Sequence, residues 1–156
     1  MEDLMNVASY IYNRYESEKG IRIDEMKLHK LMYFSQRESL IQNNEPLFEA
    51  VFYGWKFGPI LKEIRMIYKE NSFYKEVPEE VVMRMIHVMN KVFEEYSEKD
   101  SWSLSRLTHG EFSWKNSRVG VSEGKNSDNP MSLDDIREDA RRIRERREKL
   151  AQFGLV

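Results

Sequence analysis

Apolar residues recur at spacings of three and four along most of the chain and alternate with other residues in one short stretch. Leu4, Val7, Ala8, Ile11, Tyr12 and Tyr15 predict an amphipathic helix over residues 3–18, closed by Gly20 as a left-handed cap with Ile21 folding back on Tyr15. Asp24 is the expected N-cap of a second helix, with Ile23 and Leu28 as its hydrophobic staple. There Leu28, Leu31, Met32 and Ser35 line one face while Met26, Tyr33, Phe34 and Leu40 spread round the side, so packing on two sides is expected. Gln42-Asn-Asn-Glu-Pro46 is turn material that ends it.

Residues 48–57 are aromatic and β-branched, with Phe48, Ala50 and Phe52 alternating against Glu49, Val51 and Tyr53, which predicts a short strand or hairpin kinked at Gly54. Gly58-Pro59 is expected to stop it and to start a third helix, because proline's fixed φ and missing N–H suit a first helical position. Ile60, Leu61, Ile64 and Ile67 or Tyr68 would form that helix's buried side. After a link over residues 71–77, Pro78 opens a fourth helix through Val82, Met85, Ile86, Met89, Val92, Phe93 and Tyr96, and Met83, Met85 and Met89 are expected in the core. Asp100 or Ser101 caps a fifth helix that ends at Gly110. Residues 110–130 read as a long loop, a length that is usually mobile or functional in a compact domain. Ser132 as cap, Asp135 closing a capping box and Met131 with Ile136 as staple start a last helix over residues 132–150. The pattern predicts a mainly α fold: one compact domain over residues 1–156, with about six helices and a small antiparallel β-hairpin between the second and third.

Composition narrows the class. A chain of 156 residues is long enough for one domain that buries roughly 70% of its unfolded surface. The 40% apolar content removes it from the disordered class. With no cysteine, neither a disulfide scaffold nor a thiolate zinc site is available, and a reducing cytoplasm is the expected location. The start, Met1-Glu2-Asp3, is acidic where a signal peptide would be basic, and no apolar run approaches a membrane span. A net charge of -2 gives the whole protein no attraction for nucleic acid. The exception is local, because the last helix beyond its first turn carries Arg137, Arg141, Arg142, Arg144, Arg146, Arg147 and Lys149 against the four acids Glu138, Asp139, Glu145 and Glu148. Arg141, Arg142, Arg144, Arg146 and Arg147 are the candidate phosphate contacts, although Ile136, Ala140 and Ile143 or Leu150 keep one side for packing. Arg141 with Glu145, and Arg144 with Glu148, are spaced as i, i+4 pairs.

No catalytic constellation is visible. His29, His87 and His109 are scattered outside any metal-binding spacing, and Gly110-Glu-Phe-Ser-Trp114 is not a nucleophile elbow, so no enzyme activity, metal or cofactor is expected. His109 is expected buried or half-buried near Trp114, its ring nitrogens bonding backbone. Trp55 and Phe57 are expected as a lid on the core, with an exposed partner-binding surface as the alternative, and Lys56 faces solvent. Lys27 and Lys30 read as a solvated helix face or as a site for an anionic partner.

Three blocks carry a resemblance: Lys27-Leu28-x-Lys30-Leu31-x-Tyr33-Phe34-x-Gln36, then Trp55-x-Phe57-Gly58-Pro59, then Leu104-Ser105-x-Leu107-Thr108-His109 with Trp114-Lys115. In this order they resemble the Panacea antitoxin domain, the family of phage-associated or SocA-like proteins, over about residues 3–140. The chain departs from the family in having His29 where glutamine is common and in its Arg-rich last helix. The resemblance implies a bacterial or prophage antitoxin that neutralises a toxin from a neighbouring gene by binding it, or an adaptor that delivers the toxin to a AAA+ protease. The motif positions Lys27, Lys30, Gln36, Trp55, Lys56, Gly58, Pro59, His109 and Trp114 are the candidate partner-binding residues. Nucleic-acid binding through the Arg-rich helix is the alternative.

Overall fold

The computed structural model describes residues 1–71, 73 and 76–154, so the expected link over 71–77 lies partly outside the described residues. In chain order the elements are α1 (Leu4–Lys19), α2 (Glu25–Asn43), β1 (Phe52–Trp55), β2 (Gly58–Ile60), α3 (Lys62–Glu70), α4 (Glu79–Tyr96), α5 (Ser101–His109), α6 (Phe112–Ser117), β3 (Pro130–Met131) and α7 (Leu133–Gln152). The fold is mainly helical, with a three-stranded antiparallel sheet in the order β2-β1-β3. The expected hairpin lies between α2 and α3.

α2 is the axis of the molecule. α1, α4, α5, α7 and β2 all pack on it, and every residue from 27 to 41 is buried. Such a helix cannot keep a polar face in water, so a polar side chain on it is costly unless a partner meets it inside. Gln36 accepts from the Leu47 N–H (2.8 Å) and donates to the Phe48 carbonyl (2.9 Å), tying the turn after α2 back onto it. Arg37 pairs with Glu111, donates to the Tyr96 hydroxyl (2.6 Å) and lies over the Phe34 ring. Glu38 receives a two-pronged bond from Arg147, both contacts 2.8 Å.

The ends of the helices follow local chemistry. Asp3, Asp24 and Asp100 accept backbone N–H bonds as N-caps, and Gly20 (φ 74°) and Asn44 (φ 58°) close α1 and α2 in left-handed conformations. Ile23 and Leu28 are both fully buried, as a staple requires. Ile21 does not fold back on Tyr15; it stays 62% exposed. Ser132 accepts from the Asp135 N–H, but the Asp135 carboxylate takes the Asn116 amide (2.7 Å) rather than closing the box.

Four further expectations are corrected. Gly58-Pro59 does not open a helix: it forms β2, and α3 starts at Lys62 after Leu61. β2 is an edge strand, where a residue lacking an N–H is tolerated. The 110–130 stretch is not one loop. It holds α6 and ends in β3, because Asp139 from α7 supplies the cap that α6 lacks locally, accepting from the N–H groups of Phe112 (2.8 Å) and Ser113 (2.9 Å). On α4 the buried stripe includes Val81 and Val88, with Val82 and Ile86 half-buried, and Met83 is 67% exposed. The Arg144–Glu148 pair is replaced by bonds from Arg144 to the carbonyls of Leu40 (2.7 Å) and Ile41 (3.2 Å), which satisfy the carbonyl end of α2. Arg141–Glu145 forms as expected, at 2.6 Å.

Candidate partner-binding site

The tip of the β1–β2 hairpin stands on two helices from later in the chain, α5 and α6 with its C-cap Arg118. Arg118 donates to the Gly54 carbonyl (3.0 Å), the Trp114 indole N–H donates to the Trp55 carbonyl (2.8 Å), and the Ser105 hydroxyl donates to the Phe57 carbonyl (2.7 Å). A Cβ on Gly54 would fall 2.0 Å from Ser117 Oγ, so only glycine lets α6 approach this closely. Arg118 also binds the carbonyls of Ser122, Glu123 and Lys125, which gives the segment after α6 a fixed course past the tip. The tip is therefore a rigidly mounted surface.

Two adjoining clefts flank it and share Lys56 and Phe57. The first, about 350 Å³, lies between α2, the hairpin and α3, with Met26, Trp55, Phe57 and Ile60 as apolar wall and Glu25, His29, Lys30, Lys56 and Arg65 as polar members. The second, about 500 Å³, runs from Lys56 and Phe57 past His109, Trp114 and Arg118. Phe57 is 42% exposed and meets Trp102, 56% exposed, edge to face at 5.2 Å. The expectation that Phe57 is a core lid is thus reversed, while Trp55 is half-buried with Arg65 over its ring. Lys56 is half-buried, its ammonium 5.1 Å from the Phe57 ring centre.

The polar groups of the first cleft are ordered by one histidine. The Leu61 N–H donates to His29 Nδ1 (3.2 Å), so the ring proton sits on Nε2 and points at Glu25 (3.1 Å). Burial holds the His29 pKa below its usual value, while the His29 hydrogen bond holds Glu25 low, with Arg65 adding an ion pair at 3.1 Å. Lys30 is only 1% exposed, and no hydrogen bond or ion pair among the described residues reaches its ammonium. Burial brings its pKa down to about 7.

The other motif positions separate into two groups. Lys27 is buried and structural, donating to the Ser97 carbonyl (2.6 Å) and the Tyr15 hydroxyl (3.2 Å), so the solvated-face reading of Lys27 and Lys30 is corrected for both. Gln36 is equally interior, and Gly58 and Pro59 are buried in β2. His109 stacks on Trp114 at 4.2 Å, half-buried as expected, but its Nε2 has no partner among the described residues. Trp102 was missed as a site residue; its only signal was an aromatic at the first turn of α5.

In the Arg-rich helix, Arg141 and Arg142 pair with Glu138, Arg144 and Arg147 bind α2, and Arg137 bonds the Asn44 carbonyl. Of the five arginines considered for phosphate contact, only Arg146 makes no hydrogen bond or ion pair among the described residues. Among the described residues no three or more potential metal-ligating side chains gather, and no helix is long and apolar enough to cross a membrane.

Fold and site together define a small helical domain that presents an aromatic hairpin tip and two open clefts. Residues 28–115, more than half of the chain, match the family model described as antitoxin SocA-like, Panacea domain, and the chain belongs to that family. No curated protein and no solved structure matches the chain.

Proposed function

We propose that this protein is a cytoplasmic antitoxin that neutralises a partner toxin by binding it directly, as a stoichiometric binding module and not as an enzyme. The observation that carries the reading is the exposed contact between Phe57, on a hairpin tip fastened by α5, α6 and Arg118, and Trp102 of α5, within an antitoxin-like family. Exposed aromatics on a rigid mount lose little entropy on binding, which is the character of interface hot spots. A surface built from this tip, the adjoining clefts and the segment after α6 suits the usual ~800 Å² per partner.

Co-expression with the product of the neighbouring gene tests it. The expected result is that the neighbouring gene alone arrests growth, that this protein restores it, and that the two co-purify in fixed ratio while toxin levels stay unchanged. Growth arrest that persists with this protein present overturns the reading. Restoration with a shortened toxin half-life would instead favour delivery to a AAA+ protease. The nucleic-acid alternative has lost support, since four of its five candidate arginines are already engaged with carboxylates or with backbone carbonyls of α2.

A further inference from the structure

From the first cleft we infer a specific subsite for a carboxylate carried on a short apolar stem, which the bound partner inserts against Lys30. The inference rests on the partner-binding reading above and names the chemistry of its anchor.

The inventory of donors and acceptors in the cleft is unequal. Lys30 brings to the cleft wall an ammonium that no acceptor of the described residues reaches, and Trp55 carries an indole N–H that is buried without a partner among the described residues. Lys56 and Arg65 add two more cations at the rim. On the acceptor side, Glu25 is already taken by His29 and Arg65, and the Asn126 side-chain oxygen accepts from the Lys56 N–H (3.1 Å). A ligand that completes the site must therefore supply acceptors and negative charge.

The walls decide what the rest of the ligand is. Met26, Trp55, Phe57 and Ile60 offer hydrocarbon and ring faces along the path to Lys30, and a volume of about 350 Å³ takes a side-chain-sized group. A heavily hydrated dianion such as phosphate would leave those walls unused. A C-terminal carboxylate next to an apolar side chain, or a glutamate with its methylenes against Phe57, uses both. Gly58 makes the approach possible, since a Cβ there would occupy the space beside Lys30 Cε and Nζ.

The probes are hexanoate, 1-hexanol and inorganic phosphate, followed by ligand-observed NMR on the full chain, its Lys30→Met variant and, as a rim control that leaves the interior untouched, Lys56→Gln. Hexanoate is expected to bind more tightly than hexanol or phosphate, to weaken about tenfold or more with Lys30→Met, and to weaken only a few-fold with Lys56→Gln. Hexanol is expected to be indifferent to both changes. Hexanoate that binds no better than hexanol, binds equally well to Lys30→Met, or yields to phosphate overturns the subsite. Toxin affinity measured on the same variants tests the source of the carboxylate: a loss of about tenfold or more with Lys30→Met supports a partner-borne group. Unchanged toxin affinity alongside lost hexanoate binding overturns it in favour of a free small carboxylate. Failure of the wild-type chain to bind any toxin would sink the antitoxin reading while leaving the hexanoate result to judge the cleft.

Discussion

Gly58 lies directly over Lys30: a Cβ built on Gly58 would stand 2.5 Å from Lys30 Cε and 2.6 Å from Thr108 Oγ1. Its φ of 116° is also one that other residues rarely adopt. The single contact locks the hairpin edge onto both α2 and α5. Gly58→Ala is therefore expected to destabilise the fold by about 2–5 kcal/mol, from backbone strain and overpacking together. Chemical denaturation checks it, and a loss below ~1 kcal/mol would mean that the hairpin can shift away from α2.

Replacing Lys30 by methionine should do the opposite. An ammonium buried without an acceptor opposes folding, and an apolar side chain of similar length does not, so Lys30→Met is expected to gain about 1–3 kcal/mol at pH 7. The sign with pH follows from the direction of the shift. Lys30 titrates at about 7 in the fold against about 10.4 in the unfolded chain, so between these values the unfolded chain binds more protons. Its destabilising effect is complete below pH 7 and relieved as pH rises. Wild type should thus gain on Lys30→Met by up to about 1.4 kcal/mol per pH unit between pH 7 and 9.5. The titratable and charged groups around it are Asp24 at the cap of α2, Glu25 and His29 on α2, Lys56 at the hairpin tip, Arg65 on α3 and His109 at the end of α5, whose pKa burial also holds low. Glu25 and His29, both held low, finish titrating below that window, and the groups common to both proteins cancel in the comparison. Parallel stability curves for the two proteins between pH 7 and 9.5 would show that folding does not lower the Lys30 pKa.

The Arg37–Glu111 pair should behave as a buried ion pair does when one partner goes. Its side chains are 5% and 10% exposed, so Glu111→Ala leaves a guanidinium stranded beside Phe34 and is expected to cost about 3–5 kcal/mol. The double change Arg37→Met with Glu111→Leu should recover most of this. Thermal unfolding of the three variants decides it, and a double variant as weak as the single one would show that the pair's hydrogen bonds, including the one to Tyr96, matter more than its charge.

Phe57→Ala and Trp102→Ala test the surface rather than the fold. Both side chains are substantially exposed, so stability should change by less than about 1 kcal/mol, whereas partner affinity should fall by about 2 kcal/mol or more for each. Calorimetry with the purified partner reads the second quantity. Equal affinity for wild type and both variants would place the interface elsewhere.

The helices were legible because their signals are local: apolar spacing, and caps at Asp24, Asp100 and Ser132 that act within one turn. The hairpin was legible for the same reason, and so was the family, whose motif blocks are read in order along the chain. Gly58-Pro59 misled because its local preference for a helix start was overridden by its place at the edge of a sheet. Likewise α6 was invisible, since the carboxylate that caps it, Asp139, is supplied from α7.

Sequence by itself determined six of the helices, the place of the hairpin and the residues from which a partner surface could be drawn. Which of those residues face outward was decided only by tertiary packing. Lys27, Gln36, Arg37 and Glu38 look like solvent-facing positions until Ser97, Phe48, Glu111 and Arg147 arrive from distant segments to pair with them. Lys30 is the one among these neighbours for which no such partner arrives from the described residues, and Phe57 the aromatic that the core leaves uncovered. Periodicity reports where a side chain points from its own helix; it carries no record of what another part of the chain brings to meet it.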